Sequence, residues 1–290
     1  FLFINVFVFQ PAVIYTGALF MISMTGIEAD LLTIAIAFAV LGAAYAILGG
    51  LRAVAVSDTY GGILVLAMGL LIVVLSLMAI DFDFSGIPAE RLTLIGDNAS
   101  PIPWPTLLTG MFLIQIFYWS TNQTITQRAM AAPTVKEAQK GVYAAAFIRV
   151  VFIPSMVVIP GIVAFKLYGD IGDQAYGRIV GDLLPGWLSG IFAAAIAAAV
   201  LSSFNSMVNS SAAMYVCDLH EAYINDKPNL RLLSGVATAI FVIIAVSMVP
   251  IYAQSDSIIN LLQELWGLIS MPILACFAVG LLFRNVDYRA

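Results

Sequence analysis

The stretch Ala199-Val-Leu-Ser-Ser-Phe-Asn-Ser-Met-Val-Asn-Ser-Ser211 places five hydroxyls and two amides in the second half of an otherwise apolar, alanine-rich run. A polar side chain in a bilayer is costly unless it finds a partner, so this cluster marks either a close-packed helix seam or a path for an ion or solute. On a helix, the carbonyl of Ala199 and the hydroxyls of Ser202 and Ser203 lie at i, i+3 and i+4. Three such oxygens can converge on a small hard cation such as Na+. The cluster alone is equally consistent with serines that only pack a seam.

The composition identifies an integral membrane protein. Hydrophobic residues make up 62% of the chain and charged residues 10%, and the mean hydropathy is +1.01, which excludes an ordinary soluble domain. The apolar blocks are about twenty residues long without the alternation of a barrel strand, so an all-α fold is predicted. Cys217 and Cys276 lie near or inside predicted spans, far apart, and are interpreted as small apolar residues.

Eight apolar stretches are long enough to be predicted as transmembrane helices. If the chain alternates from a start inside the cell, eight basic residues fall in inner loops and only Arg91, Lys166 and Arg178 in outer ones, as the positive-inside rule requires. The predicted spans are Leu2–Ser23, Leu31–Gly49, Thr59–Ile80, Pro105–Ala129, Val142–Leu167, Trp187–Val216, Leu232–Ile251 and Ser257–Phe283.

Three further patterns carry a family resemblance. Tyr45-Ala-Ile-Leu-Gly-Gly-Leu-Arg-Ala-Val-Ala-Val-Ser-Asp58, Tyr118-Trp-Ser-Thr-Asn-Gln-Thr-Ile-Thr-Gln-Arg128 with Lys136-Glu-Ala-Gln-Lys-Gly141, and the Ser202-Ser203 run leading to Asp218 occur in this order. In order and spacing the chain resembles the sodium/solute symporters, and most closely their sugar-transporting branch of sodium/galactose and sodium/glucose symporters.

The resemblance implies a transporter core of ten helices built as two inverted five-helix repeats. Residues 1–290 then form a single transmembrane transporter domain, with 1–80 the end of the first repeat and 105–283 the second. The eight spans correspond to core helices three to ten. The chain is therefore expected to be a fragment that lacks the first two core helices, from a multi-pass protein of the plasma (inner or cell) membrane.

For the coupling ion, the resemblance places the main sodium site at the Ala199 carbonyl and the hydroxyls of Ser202 and Ser203. It also implies a possible second sodium site at Asp58 and Ser206. A neighbouring position that is serine in two-sodium members is Asn205 here. The alternative for Asp58 is an acid at a helix N-terminus, which the helix dipole favours.

For the solute, the resemblance implies contacts from Gln115, Tyr118 and Gln263. Amides and an aromatic face suit a sugar, which offers hydroxyls on its rim and C–H groups on its faces. Arg149 stands where sugar symporters usually have lysine, and its planar fork suits an anionic solute. Alternatively, Arg149 snorkels inward or pairs with Glu264, and does not contact the solute.

The predicted function is sodium-coupled secondary active symport of a small organic solute, with a sugar favoured, by alternating access. The alternatives are a symporter for a carboxylate or other anion, and a symporter-like membrane sensor of a signalling protein. No enzyme is expected, because His220 is a lone histidine at a helix end without a nucleophile or metal cluster. Sodium as the coupling ion, the solute and the lipid bilayer are the expected partners, without a further cofactor or nucleic acid.

Overall fold

The apolar runs fold into helices throughout the part of the chain that the computed structural model describes. The description covers residues 1–93, 95, 96, 98, 103–225, 229–255 and 257–283, and it excludes the side chains of 46–57. Polar residues begin several helices, since the side chains of Asp30, Thr134 and Asn229 each accept a hydrogen bond from a backbone N–H in the first turn. The helices are α1 (Leu2–Thr25), α2 (Leu31–Ala79), α3 (Trp104–Leu108), α4 (Gly110–Thr121), α5 (Gln123–Met130), α6 (Val135–Val151), α7 (Ile153–Tyr168), α8 (Ala175–Leu183), α9 (Gly186–Ala213), α10 (Leu230–Tyr252) and α11 (Ile258–Leu282).

Two helices contain π-helical segments, and short 3-10 turns lie in the loops. Asn5–Phe9 is π-helical within α1, and Met214–Glu221 continues α9 as a π-helix. The 3-10 turns are Ala89–Arg91 and Gly172–Gln174. A π-helical segment inserts a residue into the ordinary helical ladder, so it changes which side chains face a neighbouring helix.

Six helical segments of the described chain are long and apolar enough to cross a membrane. The predicted span Pro105–Ala129 is not a continuous helix, because it is divided into α3, α4 and α5 at Thr109 and Asn122. Nor do the second and third predicted spans separate into two helices: both belong to α2, a helix of 49 residues. The assignment of the two repeats remains a prediction.

The long helix α2 bends rather than running straight. Gly42 and Asp58 both lie against one turn of α9, Gly42 at the ring of Phe204 and Asp58 at the hydroxyl of Ser202. In a straight helix these sixteen positions would span about 24 Å, more than the two side-chain contacts can bridge. The two halves of α2 therefore both pack along the bundle, as two separate spans would.

Helix α9 lies at the centre of the bundle, in contact with α1, α2 and α10. Its side chains Phe192, Phe204 and Val208 are fully buried. Gly17 of α1 lets Val200 approach so closely that an added Cβ would lie 2.6 Å from its methyl group. Small residues at such crossings let helix backbones come together where lipid offers no hydrophobic driving force.

At one end of the bundle, α8 packs directly on the end of α1. A Cβ added to Gly181 would collide with the carbonyl oxygen of Met24, so only glycine fits this crossing. The three basic residues predicted for outer loops form ion pairs, namely Arg91–Asp170, Lys166–Asp83 and, within α8, Arg178–Asp182. Hydrogen bonds from Ser85, and then from Lys166, lower the pKa of Asp83 to about 2.

Proline in α1 frees a backbone carbonyl, and a distant tyrosine pairs with it. Pro11 has no N–H for the carbonyl of Phe7, four residues earlier. The hydroxyl of Tyr252, at the end of α10, donates to the Phe7 carbonyl at 2.9 Å and approaches that of Val8 at 3.2 Å. Tyr252 is almost fully buried, so this hydrogen bond replaces one that water cannot supply.

We expect Tyr252→Phe to destabilise the protein by about 1–3 kcal/mol, because a buried carbonyl loses its donor. The measurement is the melting temperature of the purified protein in detergent. The double variant Tyr252→Phe with Pro11→Ala is the control, since alanine restores an N–H at position 11. If Tyr252→Phe lowers the melting temperature equally with proline and with alanine at that position, the pairing is contradicted.

Candidate cation and solute sites

A cleft of about 220 Å³ lies between α2 and α9, where the sequence predicted the cation site. Asp58 lines it from α2, and Ala199 and Ser203 line it from α9. Ser203 is exposed, whereas Ser202, one position earlier, is buried. The cleft therefore joins a carboxylate to two of the three predicted sodium ligands; its remaining lining residues are Gly61, Gly62, Val65 and Ala198.

A network of hydrogen bonds extends from this cleft into the bundle. The hydroxyl of Ser202 donates to one carboxylate oxygen of Asp58. The other carboxylate oxygen accepts from Nη2 of Arg128 at 2.8 Å, and the same nitrogen lies 2.6 Å from the hydroxyl of Ser206. Ser206 in turn donates to the backbone carbonyl of Ser202 at 2.9 Å. One carboxylate, one guanidinium and two hydroxyls thus connect α2, α5 and α9.

The helix break at Asn122 positions Arg128 for this contact. Asn122 is extended, with φ −75° and ψ 115°, and its side chain accepts from the N–H of Thr124 at 3.0 Å to begin α5. Arg128 follows on the last turn of this short helix, and its Nη1 donates to the carbonyl of Thr124 at 2.9 Å. The guanidinium is held from its own helix as well as from α2 and α9.

On α4, Gln115 and Trp119 are joined to Arg149 of α6. The indole Nε1 of Trp119 donates to the side-chain oxygen of Gln115 at 2.9 Å. The guanidinium of Arg149 lies over the Trp119 ring, 4.7 Å from its centroid, in cation–π geometry. Arg149 is exposed. The Trp119 ring covers one face of the Arg149 guanidinium, while the N–H edges of the guanidinium stay available for a ligand.

Tyr118 continues this arrangement toward α11 and α1. Its ring stacks on Trp266 with centroids 5.3 Å apart, and Trp266 meets Phe9 edge-to-face at 5.3 Å. Gln263 lies one turn before Trp266 on α11. The side-chain oxygen of Gln263 and the indole nitrogen of Trp266 are both buried without a hydrogen-bond partner among the described residues. Such orphaned groups in a native protein point to a ligand or water that completes them.

The predicted residues thus fall into two neighbouring sets. Asp58, Ser202 and Ser206 form one network beside the cleft lined by Ala199 and Ser203. The four predicted solute residues follow one aromatic strip, defined here as Arg149, Trp119, Tyr118 and Trp266, with Gln115 and Gln263 beside it.

Two alternatives from the sequence are wrong. Asp58 is not at a helix N-terminus, because α2 begins at Leu31 and continues through it. Arg149 does not pair with Glu264; both residues are described, and Arg149 stacks on Trp119 instead. A guanidinium can stack on an aromatic face while its N–H groups stay free for other partners.

Sequence reasoning missed Arg128 and Trp266. Arg128 belongs to a motif that carried the resemblance, but it was counted only as an inner-loop charge. Its distance of 70 positions from Asp58 gave no local sign of the ion pair. Trp266 did carry a signal, because residues three apart on a helix share a face, and Gln263 was already a candidate.

The described chain is a bundle with six helical segments that could cross a membrane, an oxygen-lined cleft between α2 and α9, and a strip of aromatic and amide side chains. These features are typical of the multi-pass membrane transporters. The chain belongs to the sodium:solute symporter family, whose sequence model matches residues 1–289. The predicted family, transporter fold and location in the membrane are thereby confirmed, and the plasma membrane is consistent with them.

Among similar proteins, the uncharacterized symporter YidK of Escherichia coli is 31% identical across 97% of this chain and 53% of its own length. The sodium/glucose cotransporter of Vibrio parahaemolyticus is 31% identical across 98% of this chain and 58% of its length. Human sodium/myo-inositol cotransporter 2 is 25% identical across the whole chain and 49% of its length. The chain spans about half the length of these relatives.

A solved structure of similar fold is the substrate-bound, outward-open state of a Na+-coupled sialic acid symporter. It matches with a TM-score of 0.76 at 17% identity, over 97% of this chain and 62% of that one. At this identity the likeness is one of fold.

The cleft yields a test that needs no knowledge of the solute. A Cβ added at Gly62 meets no atom within 4 Å, so Gly62→Leu is expected to fold while its side chain fills the cleft beside Asp58. Sodium should then raise the melting temperature of the variant far less than that of the unaltered protein. Gly280→Leu, at an equally open glycine of α11, is the matched control. An undiminished sodium effect in Gly62→Leu would exclude the cleft as the cation site.

Proposed function

We propose that the protein is a sodium-coupled secondary active symporter that imports a small organic solute, a sugar or polyol, by alternating access. Membership of the sodium:solute symporter family supports sodium-coupled symport. The observation that carries the assignment to this chain is the cleft between α2 and α9, which Ala199 and Ser203 line. Carbonyl and hydroxyl oxygens are among the ligands that a hard cation prefers.

In this mechanism, sodium binds at the carbonyl of Ala199 and the hydroxyls of Ser202 and Ser203 and stabilises the outward-open, solute-competent state. Sodium and solute share one conformational equilibrium, so each raises the affinity of the other by the same factor. A membrane potential of about 100 mV adds roughly 2.3 kcal/mol for each sodium ion that enters. That contribution drives uptake before any sodium gradient is counted.

The aromatic strip supports a sugar or polyol as the solute. Tyr118 and Trp266 offer flat apolar faces, while Gln115 and Gln263 offer amides for hydroxyl groups. The relatives named for glucose and myo-inositol agree with this chemistry.

One observation favours an anionic solute as the second candidate. Arg149 carries its charge at the end of the strip without an ion pair among the described residues, stacked on Trp119. A guanidinium in that position binds a carboxylate through two parallel hydrogen bonds.

The sodium site is tested by uptake into proteoliposomes that contain the complete protein. We expect Ser203→Ala to raise the sodium concentration for half-maximal uptake roughly tenfold or more, because a hydrogen-bonding or ligating oxygen to a charge contributes about 1.5–3 kcal/mol. Ser210→Ala is the matched control, since Ser210 lies two turns further along α9, is buried, and its hydroxyl has no hydrogen-bond partner in the described chain. Equal effects of the two substitutions would contradict the site.

The solute is tested with labelled hexoses, a polyol, a sugar acid and small carboxylates. Trp266→Phe keeps the stacking ring but removes the unpaired N–H, so we expect it to weaken solute affinity about fivefold or more while leaving the melting temperature unchanged. Trp187→Phe, at an exposed tryptophan of α9, is the control.

Arg149→Gln separates the two candidate solute classes. If Arg149→Gln loses uptake of the acids but keeps uptake of hexoses, the anionic solute is established. If hexose uptake is unchanged, and neither the unaltered protein nor the variant takes up an acid, the sugar is established. Sodium-dependent solute binding without flux of any compound would identify a sensor and overturn the transport proposal.

A further inference from the structure

Arg128 occupies the centre of a group of oxygen atoms that would suit a metal cation. Its guanidinium contacts the carboxylate of Asp58 at 2.8 Å, the hydroxyl of Ser206 at 2.6 Å and the carbonyl of Thr124 at 2.9 Å. The second carboxylate oxygen of Asp58 accepts from Ser202. Carboxylate, hydroxyl and carbonyl oxygens are the ligands of hard cations, but here they surround a side chain of the protein itself.

We propose that Arg128 is a built-in cation that fills the position of a second sodium ion, so that the protein binds one sodium fewer than its oxygen ligands would permit. Asp58 and Ser206 were the residues expected at a second sodium site, and both are bonded to Arg128. The inference rests on the proposed sodium-coupled function for its meaning in transport. It concerns sodium stoichiometry, which can be measured without transport.

Charge explains why the guanidinium and a sodium ion exclude each other. Arginine stays protonated at every physiological pH, so its charge cannot be removed to admit a metal. Asp58 is the only acid paired with Arg128 in the described chain, and one carboxylate balances one cation. The two side chains are only 36% and 31% exposed, so water screens a second positive charge poorly.

The arrangement also makes Arg128 a determinant of coupling. The guanidinium connects α5 to α2 and α9, and α5 begins at the break at Asn122. The charge of Arg128 is part of α5, whereas a sodium ion bound to Asp58 and Ser206 would have no covalent connection to that helix. Replacing the sodium by Arg128 therefore transfers the attraction of Asp58 from a diffusible ion to a helix of the protein itself.

The test counts bound sodium ions in the purified complete protein with radiolabelled sodium. Arg128→Gln should bind one additional sodium ion per protein, because the amide vacates the position and leaves the charge of Asp58 uncompensated. The double variant Asp58→Asn with Arg128→Gln loses the same ion pair but also the carboxylate, and should bind no additional ion. An unchanged count in Arg128→Gln, or an equal gain in the double variant, would overturn the proposal.

Chemical rescue separates a cation site from a merely structural ion pair. Arg128→Ala should also gain a sodium ion, and added guanidinium chloride at millimolar concentration should displace that ion and no other. Guanidinium that leaves the count in Arg128→Ala unchanged would overturn the proposal. This second variant also serves if glutamine at position 128 prevents folding.

The outcomes distinguish this inference from the proposed function. A gain of one sodium in the Arg128 variants, in a protein that transports nothing, would uphold Arg128 as the built-in cation and overturn symport. Sodium-driven uptake together with an unchanged sodium count in those variants would uphold symport and overturn the role of Arg128.

Discussion

Polar groups on α9 must find partners inside an apolar bundle, and the placement of the other helices follows from this constraint. Three neighbouring elements each bring one partner. Gln10 of α1 donates to Ser211 at 2.9 Å, Asp58 of α2 accepts from Ser202, and Arg128 of α5 donates to Ser206. The hydroxyl-rich half of α9 is therefore where three elements meet, and it brings together oxygen atoms from more than one helix.

The same requirement for paired polar groups explains why the helices can be interrupted. At Pro11 the freed carbonyl of Phe7 takes its hydrogen bond from Tyr252, and at Asn122 the side chain supplies the acceptor that begins α5. In water such breaks would be solvated, but in a membrane they persist only where another group of the protein completes them. Each break is thus stabilised by a neighbour that fixes its position.

The sequence predicted the class of fold and the helix whose Ala199 and Ser203 line the cleft, because hydropathy and the spacing of polar residues on a helix are local properties. The bend of α2 was not predictable in this way, since a hydropathy window reads composition and cannot distinguish two spans from one bent helix. Side-chain contacts between residues far apart in the sequence were also not predictable. Arg149 contacts the ring of Trp119 rather than Glu264, and Arg128 contacts Asp58, through tertiary packing that no local pattern of charges records.

The segment around Asn122 connects the aromatic strip to the hydrogen-bond network around Asp58. Trp119 and Gln115 lie on α4 before the break, and Arg128 lies on α5 after it. The chain that carries Trp119 on α4 therefore continues, after Asn122, into the helix whose last turn carries the charge paired with Asp58. If a cation weakens the ion pair of Asp58 with Arg128 and thereby changes the affinity of the strip for a solute, the bound solute must change the affinity for that cation by the same factor. The break at Asn122 divides the strip and the network between two helices, while the single residue between these helices keeps them linked.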